Sequence, residues 1–397
     1  MREIESAYLL EYEKQKMRVC AKSFEELANV FVYFPSKEIA ENEEVQEEDR
    51  RTLIWKKRFW ENRELFADNL RELAGIMDAM AGSEVRAIPF LERKYKKLAK
   101  LLDEEGLILQ DIYTLESGKE RELLGVQVRC KKDKICTSEE LAGYLSVLLN
   151  RHYRVVNGMP FFLSKEFETL YYEEEPKLLA MSGYARAIKE SEKISGDNYS
   201  FFETSNDSYV AILSDGMGSG EKACADSEAV VEMAEKFLEA GFSVEMTVQM
   251  INDVLLLNCE NTNMSTLDLC CVDLMTGNAR LAKIGSASTY IKNLNYVEKI
   301  PAESLPLGIF HNQELQIIKK EIQSGDYVIM LSDGIADCIA QEKGEAFIES
   351  LISELQCERP SEMAGRIMKY VLGISKGHIQ DDMTVLVIGF WENRYED

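Results

Sequence analysis

The sequence predicts an α+β protein whose C-terminal half is a sandwich of two antiparallel β-sheets with helices on both outer faces. The hydrophobic pattern there runs as strands, a helix pair, more strands and a second helix pair. Each sheet can then bury one face on the other sheet and one face beneath helices, which favours the four-layer αββα arrangement. We therefore expect three regions: a helical segment at 1–106, a small α/β region at 107–177 and the sandwich at 178–397.

The segment 1–106 carries apolar side chains at helical spacing with charges between them. Pro35 ends the first predicted helix, because proline cannot continue one. The acidic stretch from Glu38 to Asp49 predicts a linker or an exposed turn. Helices without an obvious partner in their own domain often pair between subunits, which favours a homodimer. Helices are predicted at 1–34, 51–81 and 89–105.

The next region reads as a small α/β unit without catalytic motifs. Thr137 and Glu140 have the spacing of a capping box, which predicts that a helix begins there and runs through Asn150. Extended segments are predicted at 127–130, 155–163 and 167–172.

The C-terminal region alternates short β-like runs with two predicted helix pairs. The helices are expected at 221–240, 244–259, 344–355 and 361–373. The strands are expected at 178–188, 199–203, 209–214, 266–274, 279–285, 288–292, 315–321, 327–332 and 383–391.

The amino-acid composition argues against several classes of protein. A formal net charge of −24 argues against a nucleic-acid binder, which would present a basic face. The nine cysteines show no Cys-x-x-Cys pair, which indicates buried free thiols in a reducing compartment. No apolar run reaches the roughly 18 residues that a membrane span needs, and the charged start is unlike a secretion signal. We expect a cytoplasmic protein, either independent or the soluble part of a membrane-tethered one.

Acidic residues mark the ends of several β-like runs. Asp215 ends one run and is followed by a chain made flexible by Gly216, Gly218 and Gly220. Such a turn lets carboxylate and carbonyl oxygens approach a hard metal ion, although Asp-Gly is also ordinary turn chemistry.

A hairpin centred on Asn206 would place Asp197 directly opposite Asp215. Two facing carboxylates repel each other unless a cation lies between them. Asp333-Gly334 repeats the Ser-Asp-Gly pattern after another strand, and Asp381-Asp382 precede the last one. Hard oxygen ligands of this kind favour Mg²⁺ or Mn²⁺ over zinc.

Other phosphate chemistries lack their motifs. The glycine-rich stretch has neither the Lys-Ser/Thr of a phosphate-binding loop nor the spacing of a dinucleotide fingerprint. No Cys-x₅-Arg loop is present, so the cysteine route of tyrosine phosphatases is unsupported.

The sequence contains four acidic motifs whose order resembles that of the metal-dependent PPM serine/threonine phosphatase family. Within that family it resembles the sporulation phosphatases of spore-forming bacteria. The resemblance is strong over about 181–397 and weaker, mainly in layout, before that. It implies the αββα fold and a site for two Mn²⁺ or Mg²⁺ ions. The motifs are Ser195-Gly196-Asp197, Ser214 to Gly220, Ser332-Asp333-Gly334-Ile335 and Asp381-Asp382-Met383-Thr384-Val385.

The resemblance also implies roles. Asp215, with the carbonyl of Gly216, would bridge both ions, and Asp197 would bind the second. Asp333 and Asp381 would bind the first, so that the reaction depends on Asp197, Asp215 and Asp333. The ions would activate a water and neutralise the phosphoryl oxygens.

Three further residues have open roles. Asp382 would orient its neighbours or replace Asp381 as a ligand. No arginine stands at the position where familiar members bind phosphate; Lys189 is the candidate substitute, although a solvated lysine is the plainer interpretation. His378 is a candidate proton donor to the leaving oxygen, or a surface residue.

The resemblance implies that the substrate is a phosphorylated anti-anti-sigma factor and that dephosphorylation activates a sporulation sigma factor. The helices after the glycine-rich stretch are attached to Gly216, so the N-terminal region could gate the site by moving them. The alternative is a catalytically silent scaffold or sensor of the same fold. Retention of all four acidic motifs counts against that alternative.

Overall fold

A computed structural model gives the fold of the protein. Its described residues form two compact units, which adjoin in sequence between Glu175 and Pro176. The described residues are 17–19, 21–26, 28–29, 67–77, 85–117, 122–132, 134–204, 206–218, 220–257, 264–301, 304–309, 317–344 and 346–393.

The first unit contains a five-stranded antiparallel sheet with the strand order β1-β2-β3-β5-β4. Its core joins the sheet to two helices through residues such as Leu102, Val126 and Leu141. The elements are β1 (Val85–Pro89), α1 (Glu92–Glu104), β2 (Leu107–Ser117), β3 (Glu122–Cys130), α2 (Ser138–Leu149), β4 (Tyr153–Val155) and β5 (Glu168–Glu174).

The capping box that begins α2 is confirmed. The amide of Glu140 donates to the hydroxyl of Thr137, and the amide of Thr137 donates to the carboxylate of Glu140. The strands β1 and β2 were not predicted; they pair with each other across the expected boundary between residues 106 and 107. The predicted extended run 155–163 is wrong beyond Val155, because that stretch forms turns and isolated contacts.

Only parts of the first two predicted helices lie in the described residues. Residues 17–19, 21–26, 28–29 and 67–77 are helical, as expected. The rest of the predictions for 1–34 and 51–81, and the linker predicted at 38–49, lie outside the described residues.

The second unit contains two five-stranded antiparallel sheets, with the orders β13-β10-β9-β8-β7 and β12-β11-β14-β15-β6. Its helices are α3 (Gly220–Glu239), α4 (Val244–Leu257), α5 (Asp333–Lys343), α6 (Phe347–Glu354) and α7 (Pro360–Ile374). Its strands are β6 (Leu178–Ala187), β7 (Asp197–Glu203), β8 (Ser208–Asp215), β9 (Leu267–Asp273), β10 (Asn278–Ile284), β11 (Thr289–Lys292), β12 (Val297–Ile300), β13 (Ile317–Glu321), β14 (Tyr327–Leu331) and β15 (Met383–Glu392).

Strand β8 shows how the layers are stacked. Ala211 and Leu213 point into the core between the two sheets, whereas Val210 and Ile212 pack beneath α3 and α4. Successive side chains of a strand point to opposite faces, so a strand covered on both faces needs a continuous apolar run. A third core lies between the other sheet and α5 to α7. The predicted αββα sandwich is confirmed.

The sequence reading missed two elements of this unit. Strand β12 is short and adds an edge to the second sheet. Helix α5 begins at Asp333, whereas the next helix after that strand was expected only from residue 344. A carboxylate at the first helical position is favourable beside the helix dipole, so the same residues suit a helix start. Among the described residues, no helix is long and apolar enough to cross a bilayer.

Candidate metal centre

The hairpin of β7 and β8 has the predicted register. Asp197 lies directly opposite Asp215, and the pairing continues to Glu203 opposite Tyr209. The two carboxylates therefore stand side by side at the open end of one strand pair, as expected from a turn centred on Asn206.

The carboxylate of Asp197 is buried, and only one of its two oxygens accepts a hydrogen bond. Its Oδ2 accepts a hydrogen bond of 2.6 Å from Oγ1 of Thr384. Its Oδ1 is buried without a hydrogen-bond partner. Burial raises the pKa of Asp197 to about 6, and the nearby carboxylates of Asp333 and Asp382 add to the rise. An orphaned oxygen of this kind calls for a cation or a proton.

Asp215 lies at the centre of the negative charge. Burial, and after it the neighbouring carboxylates, raise its pKa to about 8. The contributing carboxylates belong to Asp197, Asp333, Asp381 and Asp382.

Two hydroxyl-bearing residues fix the backbone of Asp215. Its amide donates to Oγ1 of Thr266 at 2.9 Å. Its carbonyl accepts from the amide of Thr266 at 2.9 Å and from Oγ of Ser265 at 2.8 Å. The next peptide is held as well, since the amide of Gly216 donates to the carbonyl of Gly196 at 3.3 Å.

Only glycine fits at position 216. A Cβ there would collide with the carbonyl oxygen of Ala223 in α3. Helix α3 also reaches the loop before β7, because Oγ of Ser227 donates to the carbonyl of Gly196 at 2.5 Å. Asn198 also binds this helix, because its side-chain amide donates to Oγ of Ser227 at 2.8 Å. Helix α3 is thus in contact with both turns that carry the paired carboxylates.

Asp333 and Asp381 approach the pair from the other sheet. Asp333 is the first residue of α5, and burial followed by the charge of Asp381 raises its pKa. Gly334 is required beside it, because a Cβ there would collide with the carbonyl oxygen of Asp382. The repeated Ser-Asp-Gly motif therefore has the same steric reason at both positions: the glycine allows close backbone contact with a neighbouring segment.

Asp382 differs from its neighbour. Its Oδ1 accepts from the amide of Lys189 at 3.0 Å, and its Oδ2 accepts from the amide of Gly196 at 2.7 Å. Both oxygens are therefore engaged in holding the 189–196 loop. Asp381 is more exposed and keeps its carboxylate at the rim, 3.6 Å from Nζ of Lys189.

The sequence reading placed Lys189 near the site, and its ammonium does reach Asp381. The imidazole of His378 instead lies 3.5 Å from the carboxylate of Glu190 and is largely exposed. Two contributors were missed: Thr384, and Arg186, whose guanidinium donates to the carbonyl of Asp197 at 2.7 Å. Thr384 stands two residues after Asp382 in an extended run, a spacing that could have indicated a shared face.

The donors suit a hard divalent ion in their chemistry. Carboxylate oxygens collect at one end of the sandwich, one of them orphaned, and the surrounding carboxylates raise the pKa of Asp215. As they stand, however, no group of three or more His, Cys, Asp or Glu side chains among the described residues is arranged to hold a metal ion. The carboxylates would have to draw together around an ion.

The region that carries most of these acidic residues matches a known protein family. The sequence model of the family described as Stage II sporulation protein E (SpoIIE) matches residues 205–391. Over that stretch the chain is similar to SpoIIE, a family of PPM-type phosphatases. That match includes Asp215, Gly216, Asp333 and Asp381 and begins after Asp197.

Relatives of the same name extend the similarity. Stage II sporulation protein E of Bacillus subtilis strain 168 is 29% identical over 345 residues, which cover 85% of this chain and 41% of that protein. The protein of that name from Priestia megaterium is 36% identical over 213 residues, 53% of this chain and 36% of the relative. The chain thus spans about two fifths of the length of these relatives.

A solved structure shares the fold across both units. The PP2C phosphatase domain and regulatory-domain fragment of SpoIIE from Bacillus subtilis superposes with a TM-score of 0.63 at 25% sequence identity. The match covers 87% of this chain and 98% of that one. The similarity to this solved structure therefore extends beyond the sandwich into the region before it.

Proposed function

We propose that this chain is a divalent-metal-dependent protein phosphatase that hydrolyses phosphoserine or phosphothreonine. The observation that carries the proposal is the facing pair Asp197 and Asp215, with Oδ1 of Asp197 buried and unpartnered. Similarity to SpoIIE and to its PP2C phosphatase domain supports the same chemistry.

Two ions, Mn²⁺ or Mg²⁺, would be held by Asp197, Asp215, the carbonyl of Gly216, Asp333 and Asp381. Bound there, such ions supply Lewis-acid chemistry that lowers the pKa of water and neutralises phosphoryl charge. Asp382 holds the 189–196 loop in place through its two accepted hydrogen bonds. Lys189 is the proposed contact for the substrate phosphate, since its ammonium lies at the rim beside Asp381.

The proposed substrate is a phosphorylated anti-anti-sigma factor, whose dephosphorylation would lead to activation of a sporulation sigma factor. The names of the relatives support a role in sporulation. The proposed setting is cytoplasmic, with the chain as a homodimer.

The deciding experiment titrates Mn²⁺ into the full chain with a phosphoserine protein as substrate and measures released phosphate. Activity that saturates with Mn²⁺ and disappears in Asp215→Asn and Asp333→Asn is the expected result. Asp326→Asn is the matched control, since Asp326 is an acidic turn residue whose Oδ2 accepts from the amide of Gln323. Metal-independent activity would refute the proposal.

We further propose that the segments 1–106 and 107–177 form a regulatory region that gates this site. Support comes from α3, which contacts Gly216 through Ala223 and the loop before Asp197 through Ser227. Any shift of α3 would move both turns together. Comparing Mn²⁺ affinity and turnover of the full chain with those of residues 178–397 tests the gating. Equal values, with the fragment shown to unfold cooperatively, would remove it.

A second candidate is a silent PPM-fold scaffold that acts by binding partners. One observation favours it: in the described part of the chain the carboxylates are not arranged to hold an ion as they stand. Calorimetry with Mn²⁺ alone separates the two candidates, because a scaffold without a metal site would give no binding heat at millimolar Mn²⁺.

A further inference from the structure

Thr384 joins the two sheets of the sandwich at the acidic end. It is fully buried in β15, and its Oγ1 donates to Oδ2 of Asp197 at 2.6 Å. Asp197 begins β7, which belongs to the opposite sheet. The hydrogen bond therefore fixes a carboxylate of one sheet from the other.

The backbone of Thr384 is itself held on both sides. Its amide donates to Oγ of Ser332 at 2.9 Å, and its carbonyl accepts from the amide of Ser332 at 3.0 Å. Ser332 immediately precedes Asp333, so this contact also ties Thr384 to a third acidic motif. A β-branched side chain has few χ1 rotamers, which keeps the hydroxyl in a constant direction.

Asp197 is also held by a residue of β6, the strand that pairs with β15. Arg186 pairs with Thr384 across β6 and β15, and its guanidinium donates to the carbonyl of Asp197 at 2.7 Å. The residue is thus held at its backbone by Arg186 and at its carboxylate by Thr384. With Oδ2 engaged, Oδ1 is the oxygen left without a partner.

We infer that Thr384 is a positioning residue, whose hydroxyl orients the Asp197 carboxylate so that Oδ1 is presented to a divalent ion. The inference rests on the proposed function, since it assumes that the site takes up metal. Hydrogen-bond partners of a metal ligand orient it, and their loss typically weakens metal binding about 10–100-fold.

Three variants of the full chain test the role. Thr384→Val keeps the shape of the side chain and removes the hydroxyl, and Thr384→Ser keeps the hydroxyl. Thr247→Val is the matched control, because Thr247 is also fully buried and its Oγ1 has no hydrogen-bond partner. Isothermal titration with Mn²⁺ alone, without substrate, gives the affinity, and circular dichroism in chelator checks folding.

We expect Thr384→Val to bind Mn²⁺ about 10–100-fold more weakly than the wild type. The serine and Thr247→Val variants should stay within about twofold of it. Equal affinity of the valine variant, equal weakening in the serine variant, or equal weakening in the Thr247 control would each overturn the inference.

The Mn²⁺ affinity of the wild type distinguishes a failure of this inference from a failure of the proposed function. A wild-type chain that binds no Mn²⁺ would overturn the proposed metal site and the inference with it. Wild-type binding that the valine substitution leaves unchanged would overturn the positioning role alone. If Thr384→Val does not fold, Thr384→Ala provides the same loss of the hydroxyl with a smaller side chain.

Discussion

Asp268 and Asp197 are both buried carboxylates of one sandwich, but their surroundings differ. Asp268 is paired in β9 with Lys283 of β10, forms an ion pair with its ammonium and accepts from the hydroxyl of Thr289 at 2.6 Å. All three side chains are buried. Asp197 accepts from the hydroxyl of Thr384 and faces a second carboxylate, Asp215. In both aspartates Oδ1 has no hydrogen-bond partner, so the difference between them is the counter-charge.

The difference separates a structural charge from a functional one. In the Asp268 cluster the protein supplies the counter-charge itself, so the charges are balanced inside the core. At the acidic end the ammonium of Lys189 lies beside the exposed Asp381, and the guanidinium of Arg186 donates to the backbone carbonyl of Asp197 rather than to its carboxylate. Buried negative charge without an internal partner is the feature that indicates an external cation.

The largest effect should come from breaking the balanced cluster. Asp268→Asn leaves the ammonium of Lys283 buried without its counter-charge, and breaking such a pair costs about 3–5 kcal/mol of unfolding free energy. Urea denaturation measures the loss. The double variant Asp268→Leu with Lys283→Met should recover most of it, because both charges are gone. A single variant as stable as the wild type would remove the contrast between the two sites.

At the acidic end the same substitution should have the opposite effect on stability. Above the raised pKa of about 8, Asp215→Asn removes one of the mutually repelling carboxylates, so at about pH 9 the metal-free protein should melt about 2–4 °C higher. Phosphatase activity should fall by at least about 100-fold, because the central ligand is lost. Differential scanning calorimetry in chelator and a phosphate-release assay measure the two effects. A lower melting temperature would contradict the interpretation that the carboxylate of Asp215 has no counter-charge within the protein.

A third change tests whether geometry at Gly216 matters as much as charge. Gly216→Ala would push a Cβ into the carbonyl of Ala223 and displace α3 or the turn. We expect a loss of about 1–3 kcal/mol of unfolding free energy and a marked loss of Mn²⁺ affinity. Gly365→Ala in α7 is the control, since nothing lies within 4 Å of a Cβ there. Its stability should equal or exceed that of the wild type.

The last effect, the smallest per step of measurement, is a pH dependence of the metal-free protein. The pKa values of Asp197 and Asp215 are raised to about 6 and about 8, above the ordinary value of 3.8. A raised pKa in the folded state means that folding favours the protonated acid. This contribution is present below about pH 4 and is lost as the pH rises towards 8.

Unfolding free energies from pH 4 to 8 in chelator should show the decline, by no more than about 1.4 kcal/mol per pH unit for each titrating group. Asp215→Asn should flatten the upper part of the curve. A wild-type profile as flat as that of the variant would contradict the raised pKa of Asp215.

Much of the sandwich could be predicted from local pattern. Continuous apolar runs such as 209–214 indicate strands buried on both faces, and their order around the helix pairs predicts four layers. The register of Asp197 opposite Asp215 followed from the centre of one turn, because pairing in a short hairpin is set by that turn. Helix α5 was missed, since Asp-Gly after a strand suits both a turn and a helix start.

The sequence alone determined the sandwich, the hairpin and the positions of the acidic residues at strand ends, because these depend on contacts between near neighbours. Tertiary structure alone decided which hydroxyl groups hold the two buried carboxylates. Lys283 faces Asp268 across the β9–β10 hairpin, so that ion pair is local, but Thr289 reaches Asp268 from the other sheet and Thr384 reaches Asp197 from a strand nearly two hundred residues away. Partners brought together by packing between sheets leave no local pattern, so these contacts could be identified only in the folded chain.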